Sequence, residues 1–447
     1  MAISEKEKLI NSRRRFWQMS WPAMMSGLSV PILGLIDTAI VGRVESAIAL
    51  GAVALASWLF DLLYWSFGFL RMGTTGLIAQ ARGRGAQGEL RVILSRPLLL
   101  GLFFGTLLVV FAYVLSPSLL SVMAGEQAEP ELITKGLEYF RTRIFGGPAV
   151  LMNYAFLGWL LGMGKVKQAL HMQISLNGLN ALMSIGLGLH YGVAGVGAAS
   201  AFAQWLTLLF WGHKIWVKEC PASSNTLQMS NPSLLSQLKD LSAWRGLLSL
   251  NLNLWLRTCL LLGSFGLLNA IGARFGAITL AANSLLFHLQ SLQSFALDGF
   301  AHGAEIMVGE QLGAQQKKAY LRTLRVGFEW TMATALLITV IYSLFGSYIL
   351  GLLTHHQSVI DTSHKYLLWA IISPLVSAPC FLLDGVMIGA VASHVMRNSM
   401  FISAISLLLS LSLCLSVWGN HGLWLSFMLF MVIRCVTLLP KALSFAK

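Results

Sequence analysis

Asp37 carries the clearest chemistry in this chain. It stands in an otherwise apolar run, Pro31-Ile-Leu-Gly-Leu-Ile-Asp37-Thr-Ala-Ile-Val-Gly42. A carboxyl group in hydrocarbon either holds a proton or carries a costly bare charge, so it can load and release protons as its surroundings change. Pro22 and Pro31 precede it, each removing one helical hydrogen bond, and Gly34 adds slack. The three predict a helix able to bend near the acid. A second set of polar residues recurs at helical spacing. Gln173, Asn177, Asn180 and Ser184 follow one another at intervals of four, three and four, which puts them on one helix face. Such a stripe is costly against lipid and predicts a face turned to a cavity or a neighbouring helix. Asp61, near the middle of another apolar run, is a candidate second acid. Asp37, Asp61, Asn177, Asn180 and Ser184 are therefore read as a proton- or cation-coupling group.

Arg257, Asp298, Glu305, Asp384 and Arg434 place a cluster of charges in the apolar runs of the second half. Buried opposite charges usually pair, because a lone one is expensive, so one reading is a structural ion-pair network. A second proton or substrate site is the other. Trp58, Tyr64, Gln173 and Gln204 are candidates for lining a cavity that takes amphipathic molecules. Phe60, Trp65, Trp159, Phe287 and Phe295 could line it too, or could face lipid and packing partners. Arg71 is read as sitting at an inner helix end, where its long side chain snorkels to the interface.

These residues need a membrane around them. Of 447 residues, 56% are hydrophobic and 11% charged, against about 25% charged in a soluble domain. Mean hydropathy is +0.70. That composition excludes a disordered chain, a coiled coil and an ordinary soluble enzyme. Spans of about 20 apolar residues are read at 16–42, 47–71, 92–116, 134–162, 168–189, 193–217, 241–270, 277–308, 322–352, 364–390, 395–418 and 421–445. They are too long and too continuous for barrel strands, so helices are the viable element.

Lys+Arg is 31 and Asp+Glu 18, a formal net charge of +13. The basic residues collect in alternate loops: Arg13–Arg15, Arg82 and Arg84, Lys165 and Lys167, Lys317 and Lys318, Arg397 and Lys441. The loops between them hold Glu126, Glu129, Glu131 and Asp361. The positive-inside rule makes the first set cytoplasmic and puts both termini there. The charge thus sets orientation and calls for no nucleic-acid partner. No CxxC pair, HExxH, GxSxG or Walker A motif occurs, so neither a metal, a cofactor, a hydrolase centre nor direct ATP drive is expected. Gly83-Arg-Gly-Ala-Gln-Gly88 is a literal GxGxxG without the βαβ context that gives it meaning. It reads as a basic loop.

The chain reads as two halves, an amino-terminal six-helix lobe (1–217) and a carboxy-terminal one (241–447), joined by the polar interval 218–240. Gly73-Thr-Thr-Gly-Leu-Ile-Ala-Gln-Ala-Arg-Gly83 lines up with Gly303-Ala-Glu-Ile-Met-Val-Gly-Glu-Gln-Leu-Gly313. Gly158-Trp-Leu-Leu-Gly162 lines up with Gly385-Val-Met-Ile-Gly389, and Tyr191-Gly192 with His421-Gly422. Six spans per half give both halves the same orientation, a parallel repeat of the kind found in transporters.

These motifs resemble the multidrug and toxic compound extrusion (MATE) transporters, in particular their DinF branch. The resemblance rests on the Asp37 run, Phe69-Leu-Arg-Met-Gly-Thr-Thr-Gly76, Ala296-Leu-Asp298-Gly-Phe-Ala301 with Glu305, Leu382-Leu-Asp384-Gly385, Arg397-Asn-Ser-Met400 and Gly419-Asn-His-Gly-Leu-Trp424. It implies an all-α fold of about 12 transmembrane helices, in two six-helix lobes forming a V, related by a parallel pseudo-two-fold repeat. It implies a monomeric secondary exporter in the bacterial inner membrane, acting on amphipathic, often cationic compounds by alternating access. Asp37 would be the proton-linked residue. Where the family often has a second Asp, this chain has Ser184. Coupling by H+ is therefore expected, with Na+ as the alternative. A flippase for lipid-linked saccharides is a rival of related architecture.

Overall fold

Apolar runs of this length become helices because a helix satisfies every backbone N–H and C=O within one segment, leaving nothing polar for lipid to accommodate. The computed structural model describes residues 5–44, 46–125, 129–219 and 234–446, apart from the side chains of 5–6, 29–39, 43–44, 219 and 234–235. The described chain forms α1 (Glu5–Val44), α2 (Ala47–Ser66), α3 (Phe69–Gly83), α4 (Leu90–Ala124), α5 (Pro130–Arg143), α6 (Gly147–Gly162) and α7 (Val166–His213). A short α8 (Leu234–Leu238) leads into α9 (Leu241–Ala273), α10 (Ala277–Gly313), α11 (Lys317–Leu353), α12 (Gln357–Gly389), α13 (Ser393–Trp418) and α14 (Asn420–Ser444).

Nine stretches among the described residues are long and apolar enough to cross a membrane. One pairs α2 with α3 and another pairs α5 with α6. A third, Val166–Lys218, has 53 residues, enough for two crossings. It breaks at Gly192, where φ is 57° and ψ −140°. The 40-residue α1 and the 37-residue α10 complete the set of twelve spans, with α10 made less apolar by Asp298 and Glu305. The 83–88 segment runs from the last residue of α3 into a single 3-10 turn, Gln87–Glu89, before α4.

Packing divides the chain into two units, Met1–Gly27 with Ser249–Lys447, and Leu28–Leu248. This differs from lobes of 1–217 and 241–447, because the first half of α1 packs with the carboxy-terminal helices. Phe16 is fully buried and stacks on Phe300 at 6.3 Å. Trp17 meets Trp330 at 4.9 Å. Arg13 pairs with Glu329 at 2.8 Å and Arg15 with Glu310 at 2.6 Å. Polar and apolar residues of the first 27 thus have their partners in α10 and α11.

The repeat is visible in how helices touch. A Cβ on Gly158 would lie 2.5 Å from the Arg71 carbonyl oxygen, and one on Gly162 2.8 Å from that of Thr75. In the other unit Gly385 meets the Ala301 carbonyl, and a Cβ on Gly389 would lie 2.6 Å from the Glu305 carbonyl oxygen. The GxxxG of α6 and that of α12 therefore seat the equivalent helix in the same way. Gly385→Val is expected to lower stability by about 3 kcal/mol through this overlap. Thermal unfolding in detergent checks it, with Gly178→Val as control, since nothing lies within 4 Å of a Cβ there.

The hairpin register needs one correction. Gly192 and Gly419 share the strained backbone, with φ of 57° and 53°, in a region open essentially to glycine. Gly195 and Gly422 follow, packed on the carbonyls of Leu187 and Cys414. The equivalent of Gly192 is thus Gly419, three residues before the Gly422 that the sequence alignment paired with it. The strained turn, not the similarity of neighbouring letters, fixes the match.

Candidate functional site

The polar stripe of α7 faces inward. Asn180 and Ser184 are buried, Gln173 and Asn177 half-buried, while Ile174, Leu182, Ile185 and Leu189 on the opposite face are exposed. Gln173 Nε2 donates to Asn177 Oδ1 at 3.2 Å. One turn beyond Ser184, a Cβ on Gly188 would lie 3.2 Å from Ile40 Cγ2 of α1. The first and fifth spans run the same way, so position 37, one turn before Ile40, comes at the depth of position 184. The side chains of Asp37, Pro31 and Gly34 lie outside the described residues. Pro22 is buried in the other unit.

Asp61 is the candidate second acid. It lies on an exposed face of α2 with Trp58 and Trp65, which are 59% and 56% exposed. The opposite face carries Phe60 and Tyr64, buried against α5, with Phe60 stacked on Phe140 at 4.6 Å. Six residues apart, Trp58 and Tyr64 stand about 120° from each other around α2, one exposed and the other buried. From α5, Arg143 donates to Tyr139 Oη at 2.6 Å and to Ser57 Oγ at 3.4 Å, and its guanidinium covers the Phe60 ring at 4.7 Å. Asp61 feels the charge of Arg143, and Tyr154 feels Asp61, Arg71 and Arg143. Asp61 thus lies within the electrostatic reach of Arg143.

Arg143 and Tyr139 escaped sequence reading because both fall inside a run that averages as apolar. The usable signal was an Arg four residues after a Tyr, just before the break at Ile144–Gly146. The place of Arg71 depends on a backbone break as well. The turn at Phe67–Gly68 interrupts a stretch that runs on to Gly83, so Arg71 stands in the first turn of α3, at that helix's amino-terminal end.

The remaining cavity candidates make the following contacts. Asn153 Nδ2 donates to Gln204 Oε1 at 2.9 Å and to its carbonyl at 3.0 Å, so Gln204 faces α6. Trp159 is fully buried, and Phe287 stacks on Trp424 at 4.9 Å.

In the other unit Asp384 Oδ2 accepts from Arg257 and from Arg434, each at 2.5 Å, with all three residues buried. Asp298 adds to the negative field at Arg434. Glu305 lies 3.9 Å from His302 one turn away. Three of the five charges, Arg257, Asp384 and Arg434, thus form a bonded triad. Cys259, Cys380, Cys414 and Cys435 are free thiols, and Cys220 lies outside the described residues. No group of three or more His, Cys, Asp or Glu comes together among the described residues.

Comparison with known proteins agrees with this geometry. The MatE family model matches the chain twice, over residues 22–185 and 254–416. The chain is 36% identical to DNA damage-inducible protein F of Escherichia coli, over 96% of this chain and 92% of that one. It is 25% identical to multidrug resistance protein NorM of Vibrio cholerae, over 92% and 91%. The solved Vibrio cholerae MATE transporter VcmN in its bent form has a TM-score of 0.84 at 18% identity, over 98% of each chain. A MOP superfamily transporter from Pyrococcus furiosus has 0.83 at 18% identity, over 100% of each. At such identity these two structures speak for the fold.

Proposed function

Because this chain belongs to the MatE family, we propose that it is a secondary active multidrug exporter that exchanges protons for amphipathic, often cationic compounds. It acts as a monomer in the bacterial inner membrane, with both termini in the cytoplasm, and needs no cofactor beyond the coupling ion. The carrying observation is the buried pair Asn180 and Ser184 on α7, packed beside α1 at the depth of Asp37. Amide and hydroxyl groups serve a carboxyl in both protonation states, donating to the anion and accepting from the acid. A desolvated Na+ wants several oxygen ligands, and Ser184 is a weak substitute for a second carboxylate, so H+ is the preferred ion and Na+ the second reading. Asp61 between Trp58 and Trp65 suits an amphipathic cation, which the rings attract through their faces and the carboxylate through charge. A lipid-linked saccharide flippase is less well supported, because the guanidinium groups of Arg257 and Arg434 are engaged by Asp384.

Proteoliposomes decide the ion. A pH gradient without sodium is expected to drive efflux of a fluorescent organic cation. A sodium gradient at equal pH is expected not to. The reverse pattern would make this a Na+-coupled exporter.

A further inference from the structure

The hydroxyls in the spans of this chain are mostly satisfied by the preceding turn. Thr74 bonds the Leu70 carbonyl, Thr75 that of Arg71, Ser95 that of Arg91 and Thr331 that of Gly327. Ser200 and Thr207 depart from this habit. Their hydroxyls have no hydrogen-bond partner among the described residues, and neither do Asn153 Oδ1 and Trp211 Nε1. Thr207, Asn153 and Trp211 are 1%, 5% and 4% exposed. Unpaired polar atoms so deeply buried cost about 1–3 kcal/mol each unless water meets them.

These atoms lie along one line. Ser200, Gln204, Thr207 and Trp211 recur at intervals of four, three and four, which is one face of the second half of α7. α6 covers that face, because Asn153 bonds Gln204 and a Cβ on Gly212 would lie 3.1 Å from Phe156. From Ser200 to Trp211 the line is about 16 Å long. Its two ends are informative. Ser200 and Ser184 each stand eight residues from the Gly192 turn, so they share a depth about 12 Å below it. Trp211 carries Lys214 Nζ over its ring at 4.3 Å, a charge that marks the interface.

We infer that a file of water molecules runs between α6 and the second half of α7, from Ser200 to Trp211, and conducts the coupling proton between the Asp37 level and the cytoplasm. The two hydroxyls both donate and accept, Asn153 Oδ1 accepts and Trp211 Nε1 donates, so a hydrogen-bonded chain of water can be anchored along its whole length. The direction of proton flow rests on the proton-coupled reading above. The existence of the file does not.

Radiolytic hydroxyl-radical footprinting of the purified full chain tests it, because radicals born in bound water oxidise the side chains beside them. Trp211 is expected to be oxidised severalfold faster than Trp424, which is fully buried and donates through Nε1 to Asn283 Oδ1 at 3.0 Å. Thr207→Leu, which fills the file, is expected to suppress Trp211 oxidation and slow pH-driven efflux severalfold. Thr207→Val, which keeps the volume and loses the hydroxyl, gives the same direction should the larger residue disturb folding. Trp211 as silent as Trp424, or oxidation indifferent to both substitutions, overturns the file. Efflux indifferent to a pH gradient in the unaltered protein overturns the coupling reading instead, while Trp211 labelling still decides the file.

Discussion

Asp37→Asn abolishes pH-driven efflux in proteoliposomes, by about 100-fold or more, while the protein folds and inserts as before. The magnitude follows from removing the group that carries the transported proton, not a group that merely assists its transfer, for which factors of about 100 to 10,000 are usual. The amide keeps the size and hydrogen-bonding of a protonated carboxyl, so packing beside α7 is retained. Only the ability to ionise is lost. Efflux under an imposed pH gradient, read beside thermal unfolding, separates the two effects. Full pH-driven activity of Asp37→Asn would remove Asp37 from the mechanism and direct attention to Asp61.

The second large effect is on stability and lies in the other unit. Asp384→Ala is expected to destabilise the protein by about 3–5 kcal/mol, the cost of leaving buried guanidinium groups without their counter-ion. Arg257 and Arg434 converge on the same oxygen of Asp384, and both are buried. Replacing the whole triad by Met, Leu and Met at 257, 384 and 434 is expected to restore most of that loss, since well-packed apolar residues often match a buried ion pair. Melting temperatures in detergent measure both. A triad replacement that is stable and still exports marks the network as structural. One that is stable but transports nothing assigns it to substrate or proton handling.

Several features could be read from residue order alone, for an identifiable reason. Hydropathy averaged over a bilayer thickness is a property of composition, and it located the spans, the central polar interval and the expected duplication. Helical spacing is local too, so the α7 stripe faces inward as its period of 3.6 requires. The glycines of α6 and α12 had to be close-contact points, because two GxxxG elements in matching places have little other use in a membrane.

Averaging is also what concealed the rest. A backbone break does not alter composition, so the turns at Phe67–Gly68 and Ile144–Gly146 passed unseen and took the positions of Arg71 and Arg143 with them. The first helix looked like part of the lobe it is covalently joined to, yet Phe16, Arg13 and Arg15 find their partners some 300 residues away. Ion pairing is equally non-local. Sequence could collect Arg257, Asp298, Glu305, Asp384 and Arg434 as costly charges, but it could not choose among their pairings. By itself, then, the sequence determined that this chain is a duplicated helical membrane protein with an ionisable group in its first span, because hydrophobicity and helical period act residue by residue. Only the tertiary structure decided which charges neutralise one another and which buried polar atoms are left for water, because each of those depends on distances between helices that no local pattern encodes.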